Sequence, residues 1–290
     1  MRAVSSSPAA SASFVSQSTL STGLKELEST LGVQLVERDR QTVALTPIGK
    51  EVANRARHLI AAADDLVAFV ADTAQPLTGT LRLGVIPTIA PFFLPTALPV
   101  LRERFPSLKF ALREDLTQNL LDRLNARQLD FALIALPYPL AGLHSRVLFE
   151  DAFWQVAREG DPILKAPLSD PGWMEGLLLL EEGHCLREHA LQACHRHEAP
   201  NPEGLEATSL LTLLHMVEAG LGIALLPHIA IQAGLLKNTH LSARPLPEPA
   251  PRRGIALVTR STSPHQAEFA AIAEVLGLVS PTGIEPVSSA

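Results

Sequence analysis

From Thr80 to Leu278 the chain alternates short apolar runs with helix-length segments, and this rhythm restricts the fold more than any other feature. TLRLGVIP reads as a buried strand, and Ala90–Phe105 as a helix closed by Pro106. LKFALRED is the next strand, Gln118–Asn125 the next helix and DFALIAL a third strand. Such alternation implies a parallel sheet covered on both faces. SRVLFEDAFWQVARE then leads to a second unit. It holds LLLLEEG, a helix from Cys185, the helix Ser209–Ala219 and the strand Ile223–Leu226. RRGIALVTR and the helix Pro264–Leu278 suit completion of the first sheet. The expectation is an α/β region of two lobes, crossed twice by the chain, with a cleft between them. A chain of 290 residues with 47% hydrophobic content can bury cores of this size.

The chemistry concentrates in the second lobe. EEGHCLREHALQAC holds both cysteines, Cys185 and Cys194, nine positions apart. From Cys185 the segment reads as a helix, with Leu186, Ala190, Leu191 and Ala193 as its apolar face. A thiol at a helix N-terminus beside His184 and Arg187 is expected to have a depressed pKa, which makes Cys185 the better nucleophile. Nine residues of helix span about 13 Å at ~1.5 Å per residue. A disulfide needs Cα atoms roughly 4.4–6.8 Å apart. If the two cysteines pair, the helix must unwind. Two inert buried thiols, a permanent disulfide, and a metal site drawing on His184, His189, His195 and His197 are the alternatives. The last matches no standard zinc spacing. Nothing in the sequence implies a cofactor.

The balance of 24 Lys+Arg against 30 Asp+Glu, net −6, carries no global nucleic-acid signature, so any DNA contact must be a local patch. The first 17 residues lack the apolar core of a signal peptide, and no run reaches the ~18–20 apolar residues of a membrane span. The expectation is a cytoplasmic protein with reduced thiols. Residues 1–13 are expected to be disordered and the tail 279–290 to be flexible and frayed. Between them and the lobes, Ser16 is a helix N-cap, Leu20, Leu24, Leu27 and Leu31 recur at helical spacing, and Gly32 is a stop. Gln17, Ser18, Thr19, Ser21 and Thr22 line the exposed front of that helix and suit a DNA groove. Val33–Val36 and Thr42–Leu45 read as a wing-like hairpin, with Arg38 and Arg40 at its tip for phosphates. Residues 47–74 form a long helix with a broad apolar stripe, and residues 75–79 a hinge.

SQSTLSTGLKELESTLGVQLVERDRQTVALTPIGKEV, through Ser16, Gln17, Leu20, Glu28, Gly32, Arg38, Thr46 and Gly49, resembles the recognition helix and wing of LysR-type transcriptional regulators. The resemblance implies a partial winged helix-turn-helix (1–46), a linker helix and hinge through which the family dimerises (47–78), and a periplasmic-binding-protein-like effector domain of two lobes (79–278). The family's first helix is not recognisable in MRAVSSSPAASAS, so the N-terminus is expected to be truncated and DNA binding weak.

GVIPTIAPFFLP, EEGHCLREHALQAC and EPAPRRGIALVTR resemble the peroxide-sensing members of that family. The likeness implies that Cys185 is the peroxidatic thiol and Cys194 the resolving one. Thr88, Thr117 and His184 would meet the peroxide, and Arg187, Arg252 and Arg253 would favour the thiolate. Glu188 stands where the family commonly has Asp. The implied partners are promoter DNA, hydrogen peroxide as signal, further copies of the chain as homodimer or homotetramer, and RNA polymerase. A regulator gated by a small molecule in the interlobe cleft, with incidental cysteines, is the alternative. A thiol peroxidase is disfavoured, since no CxxC or other redox motif supports rapid turnover. No enzyme activity is expected.

Overall fold

The computed structural model describes residues 16–38, 43–74, 77–166, 176–193, 205–247 and 250–279. Both termini, Arg40 and Cys194 lie outside the described residues. The chain divides into two compact units, residues 1–64 and 65–290.

In the first unit, helix α1 (Gln17–Leu31) starts where expected: the Ser16 side chain accepts from the Thr19 amide, and Gly32 ends the helix in the left-handed region at φ 69°. No residue of α1 is buried, and Leu27 and Leu31 are exposed. The hairpin forms later than expected, as β1 (Val36–Arg38) against β2 (Val43–Leu45), antiparallel, with Val36 opposite Leu45. Glu28 on α1 is the reason. Its Oε1 accepts from the amides of Leu35 and of Val36, the first strand residue, at 2.7 and 3.1 Å, and its carbonyl accepts from the Val33 amide, which ties residues 33–36 to the helix. Arg38 is therefore the last residue of a strand rather than part of the tip. Helix α2 (Pro47–Ala74) follows, and the Thr46 hydroxyl caps its first turn by accepting from the Gly49 amide. A Cβ on Gly49 would fall on the Leu35 carbonyl, so no larger residue fits there. Leu59, Ile60 and Leu66 of α2 are 73, 63 and 66% exposed, an apolar surface that this single chain leaves uncovered. Among the described residues, no helix is long and apolar enough to cross a membrane.

The second unit contains β3 (Gly79–Val85), α3 (Ala90–Arg104), β4 (Leu108–Glu114), α4 (Thr117–Asn125), β5 (Phe131–Leu136) and β6 (Leu143–Arg158). It continues with β7 (Leu179–Leu180), α5 (Cys185–Ala193), β8 (Glu206–Ala207), α6 (Leu210–Glu218), β9 (Ala224–Pro227), α7 (His228–Gln232), β10 (Leu241–Pro245), β11 (Arg252–Arg260) and α8 (Gln266–Leu278). β3 runs parallel to β4 and β5, as expected. The sheet as a whole is mixed, which corrects the all-parallel expectation. β11 returns antiparallel between β5 and β6, and β6 carries β10 and β9 antiparallel at its far end.

The 16-residue β6 is what makes two lobes from one sheet. Phe149 packs in a core with Leu83, Phe93, Phe131 and Ile272, while Phe153, four residues on, packs in a second core with Leu178, Leu213 and Leu225. The chain crosses back before β11, giving the expected pair of crossings.

Candidate functional site

The site lies between the two cores, at the carboxyl ends of the parallel strands, where open α/β sheets place ligands. Thr88 sits in the turn between β3 and α3, and Thr117 opens α4 after β4; both are buried. Gly183, at φ 95°, turns the chain so that His184 and Cys185 face them at the start of α5. Ile86, Pro87, Thr88, Leu116, Thr117, Gly183, His184 and Cys185 line a small, partly open cleft of about 10 Å³. That is room for roughly one water-sized molecule. An open concavity of about 860 Å³ lies elsewhere, between α3 and β4, lined by Leu98, Pro99, Arg102, Phe110 and others.

Arg253 supplies the positive charge. It is 0% exposed on β11, directly across the sheet register from the equally buried Asp151 of β6. Its Nε and Nη2 donate to Asp151 Oδ2 at 3.1 and 2.9 Å, and Nη1 donates to the Thr88 hydroxyl at 2.9 Å. Nη2 also reaches the Thr88 carbonyl at 3.2 Å. Asp151 Oδ1 accepts from the Ile229 amide at 3.0 Å, so one carboxylate joins β6, β11 and the start of α7.

The expectation of a depressed thiol pKa is corrected. Burial, the largest influence, pushes Cys185 up; Arg253, Thr117 and the first amides of α5 oppose it without reversing it. The Thr117 hydroxyl is close enough to favour the anion, although no partner among the described residues satisfies it with full hydrogen-bond geometry. Arg187 is corrected as well. It points away from the thiol and pairs with Glu206 at 2.7 Å and the Leu180 carbonyl at 2.9 Å, tying α5 to β7 and β8. Arg252 is exposed and Glu188 faces solvent.

His184 lines the cavity, buried, with Nε2 3.9 Å from Glu181; desolvation lowers its pKa and Glu181 partly restores it. Sequence reasoning did not assign a role to Asp151, or to His189 beyond a metal alternative. His189 is buried on α5, with Nε2 3.1 Å from the Pro137 carbonyl. The one signal for His189 was its helical i, i+4 spacing from Cys185. Asp151 carried no such signal, since Glu150 stands beside it and its strand is rich in polar residues. Among the described residues, no three His, Cys, Asp or Glu side chains converge on a metal position; Cys194, His195 and His197 lie outside them.

Comparison with known proteins gives a consistent set of relatives. The LysR substrate binding domain matches residues 74–278, and the bacterial regulatory helix-turn-helix protein, lysR family, matches residues 1–50. The HTH-type transcriptional regulator EstR of Acinetobacter baylyi is 44% identical over 276 residues, covering 94% of this chain and 91% of that protein. A probable hydrogen peroxide-inducible genes activator of Streptomyces viridosporus is 39% identical over 280 residues, covering 92% and 88%. A full-length OxyR variant from Pseudomonas aeruginosa superposes with a TM-score of 0.71 at 31% identity, covering 94% of this chain and 92% of that one.

Proposed function

The chain belongs to the LysR family of DNA-binding transcriptional regulators, which are not enzymes, and on that premise we propose that it is a hydrogen peroxide sensor switched by a reversible Cys185–Cys194 disulfide. The observation that carries this reading is the cavity at the thiol. It is far smaller than the ~300–1,000 Å³ that organic ligands occupy, and its walls present the thiol of Cys185, the hydroxyls of Thr88 and Thr117 and the imidazole of His184. A buried thiol reacts only with an oxidant small enough to enter. The peroxide-inducible relatives support the same signal.

The Cys185 thiolate attacks one peroxide oxygen; an S–O bond forms, the O–O bond breaks, and the departing hydroxide takes a proton to become water. Cys194 then attacks the sulfenic sulfur, displacing a second water and closing the disulfide. Thr88, held by Arg253, together with Thr117 and His184, orients the peroxide, and Arg253 favours the anion. Arg187 acts through the packing of α5. Residues 1–46 carry DNA contacts through Gln17, Ser18, Thr19, Ser21, Thr22, Arg38 and Arg40. Residues 47–78 join copies of the chain, and 79–278 form the sensor.

A regulator gated by a small molecule is the second reading. It draws on the similarity to EstR and on the burial that keeps Cys185 protonated. Titrating the reduced protein with peroxide and counting free thiols separates the two. Loss of both thiols near one equivalent supports the sensor; full thiol reactivity at micromolar peroxide supports the ligand-gated regulator.

A further inference from the structure

Helix α5 belongs to the C-terminal lobe by packing, since Leu186, Ala190 and Leu191 lie in that lobe's core. Two of its side chains reach the other lobe. Cys185 packs in the N-terminal core, and His189, one turn further on, contacts the carbonyl of Pro137 just after β5. Positions i and i+4 share a helix face. One face of α5 is thus bonded to one lobe while the opposite face is buried in the other.

The chemistry of the second contact is unambiguous. A carbonyl only accepts, so the proton of the neutral imidazole is on Nε2 and the lone pair on Nδ1. That Nδ1 is buried, with no hydrogen-bond partner among the described residues. The charged and polar groups acting on the ring are Arg253 from β11 and the Pro137 carbonyl, with Cys185 on its own helix uncharged while it is a thiol. Burial, and to a lesser degree Arg253, keep the ring neutral against the opposing pull of the Pro137 carbonyl.

We infer that the His189–Pro137 hydrogen bond is a latch between the lobes. It holds α5 in its docked, helical form, so His189 sets how readily residues 185–193 leave that form. Its consequence for sensing rests on the proposed disulfide switch, in which α5 must open for the sulfurs to meet. The latch itself is a property of the reduced protein and can be tested without any oxidant.

The test is amide hydrogen exchange on the reduced full-length protein, comparing α5 with α6 as internal reference. His189→Leu keeps bulk and removes the donor; His189→Gln keeps an N–H that can reach a carbonyl. The expected result is exchange in α5 roughly three- to tenfold faster in H189L, the worth of one intramolecular hydrogen bond. H189Q stays near wild type, and α6 is unchanged in both. If H189L also loosens α6, H189N, polar but too short to reach Pro137, takes its place. In stopped-flow with peroxide, H189L leaves the first, peroxide-dependent step unchanged and accelerates disulfide closure. Unchanged α5 exchange in H189L, or equal acceleration in H189L and H189Q, overturns the latch. A wild-type protein that forms no disulfide overturns the sensor reading instead and leaves the exchange result to decide the latch.

Discussion

Cys185 and Leu186 are adjacent in the chain but pack in different cores, the thiol among residues of the N-terminal lobe and the leucine among those of the C-terminal lobe. The first peptide of α5 therefore bridges the lobes. A reaction at Cys185 changes a contact between them directly, with no chain of intermediaries.

Arg253 and Asp151 are both fully buried, and removing one leaves the other as an unpaired interior charge. Arg253→Met is expected to destabilise the effector region by about 3–5 kcal/mol, and adding Asp151→Leu to recover much of that loss. Urea unfolding of the two variants checks this; a double variant no more stable than R253M contradicts it.

The Cys185 pKa is raised by burial, so the folded state favours the thiol. Its contribution to stability is full below the ordinary thiol value and is lost as pH climbs through the raised one. In a Cys194→Ser background, iodoacetamide alkylation of the reduced protein is expected to be slow at pH 7 and to keep accelerating above the range where free cysteine levels off. A plateau near pH 7 would show an activated thiolate instead.

His184, His189 and His228 all have lowered pKa values, each mainly through desolvation. Glu181 opposes the shift at His184, Asp151 at His228 and the Pro137 carbonyl at His189, where Arg253 adds to it. A base held neutral by the fold contributes stability above its ordinary pKa of 6.5 and loses it as pH falls below. The thermal midpoint is expected to drop between pH 7 and pH 5, with a shallower fall in His189→Gln. Identical pH slopes in the two proteins would remove His189 from this account.

Glu28 joins α1 to the start of β1 by two hydrogen bonds from backbone amides. Hydrogen bonds to a charged group contribute about 1.5–3 kcal/mol. Glu28→Ala is expected to loosen residues 16–45 and weaken DNA binding while leaving Cys185 chemistry unchanged. Limited proteolysis and a binding titration against promoter DNA, alongside thiol alkylation, check the separation.

Local patterns were legible in the sequence wherever a residue's own neighbours decide its structure. Ser16 and Gly32 bound α1, the apolar runs at 80–87 and 130–136 became β3 and β5, and the helix expected from Cys185 begins at that residue. Misreadings arose where partners distant in sequence decide. Residues 145–159 read in the sequence only as the passage to the second unit; that they form one strand serving two cores is decided by cross-strand partners at 224–227 and 252–260. Of the three arginines expected to favour the thiolate, local sequence does not tell which one reaches it: Arg187, two positions away, pairs elsewhere, whereas Arg253, 68 positions away, acts on the thiol because β11 folds back beside β6. The direction of the thiol pKa was missed for the same reason: a helix N-terminus is visible locally, whereas burial is a property of the whole fold.

The most direct test of the switch is a non-reducing peptide map of the protein after one equivalent of hydrogen peroxide, with amide exchange measured on the same sample. The expected result is a single cross-linked peptide joining Cys185 to Cys194 and loss of exchange protection through residues 185–193. Cys185 over-oxidised with Cys194 still free, or a disulfide formed while that helix stays protected, would contradict it.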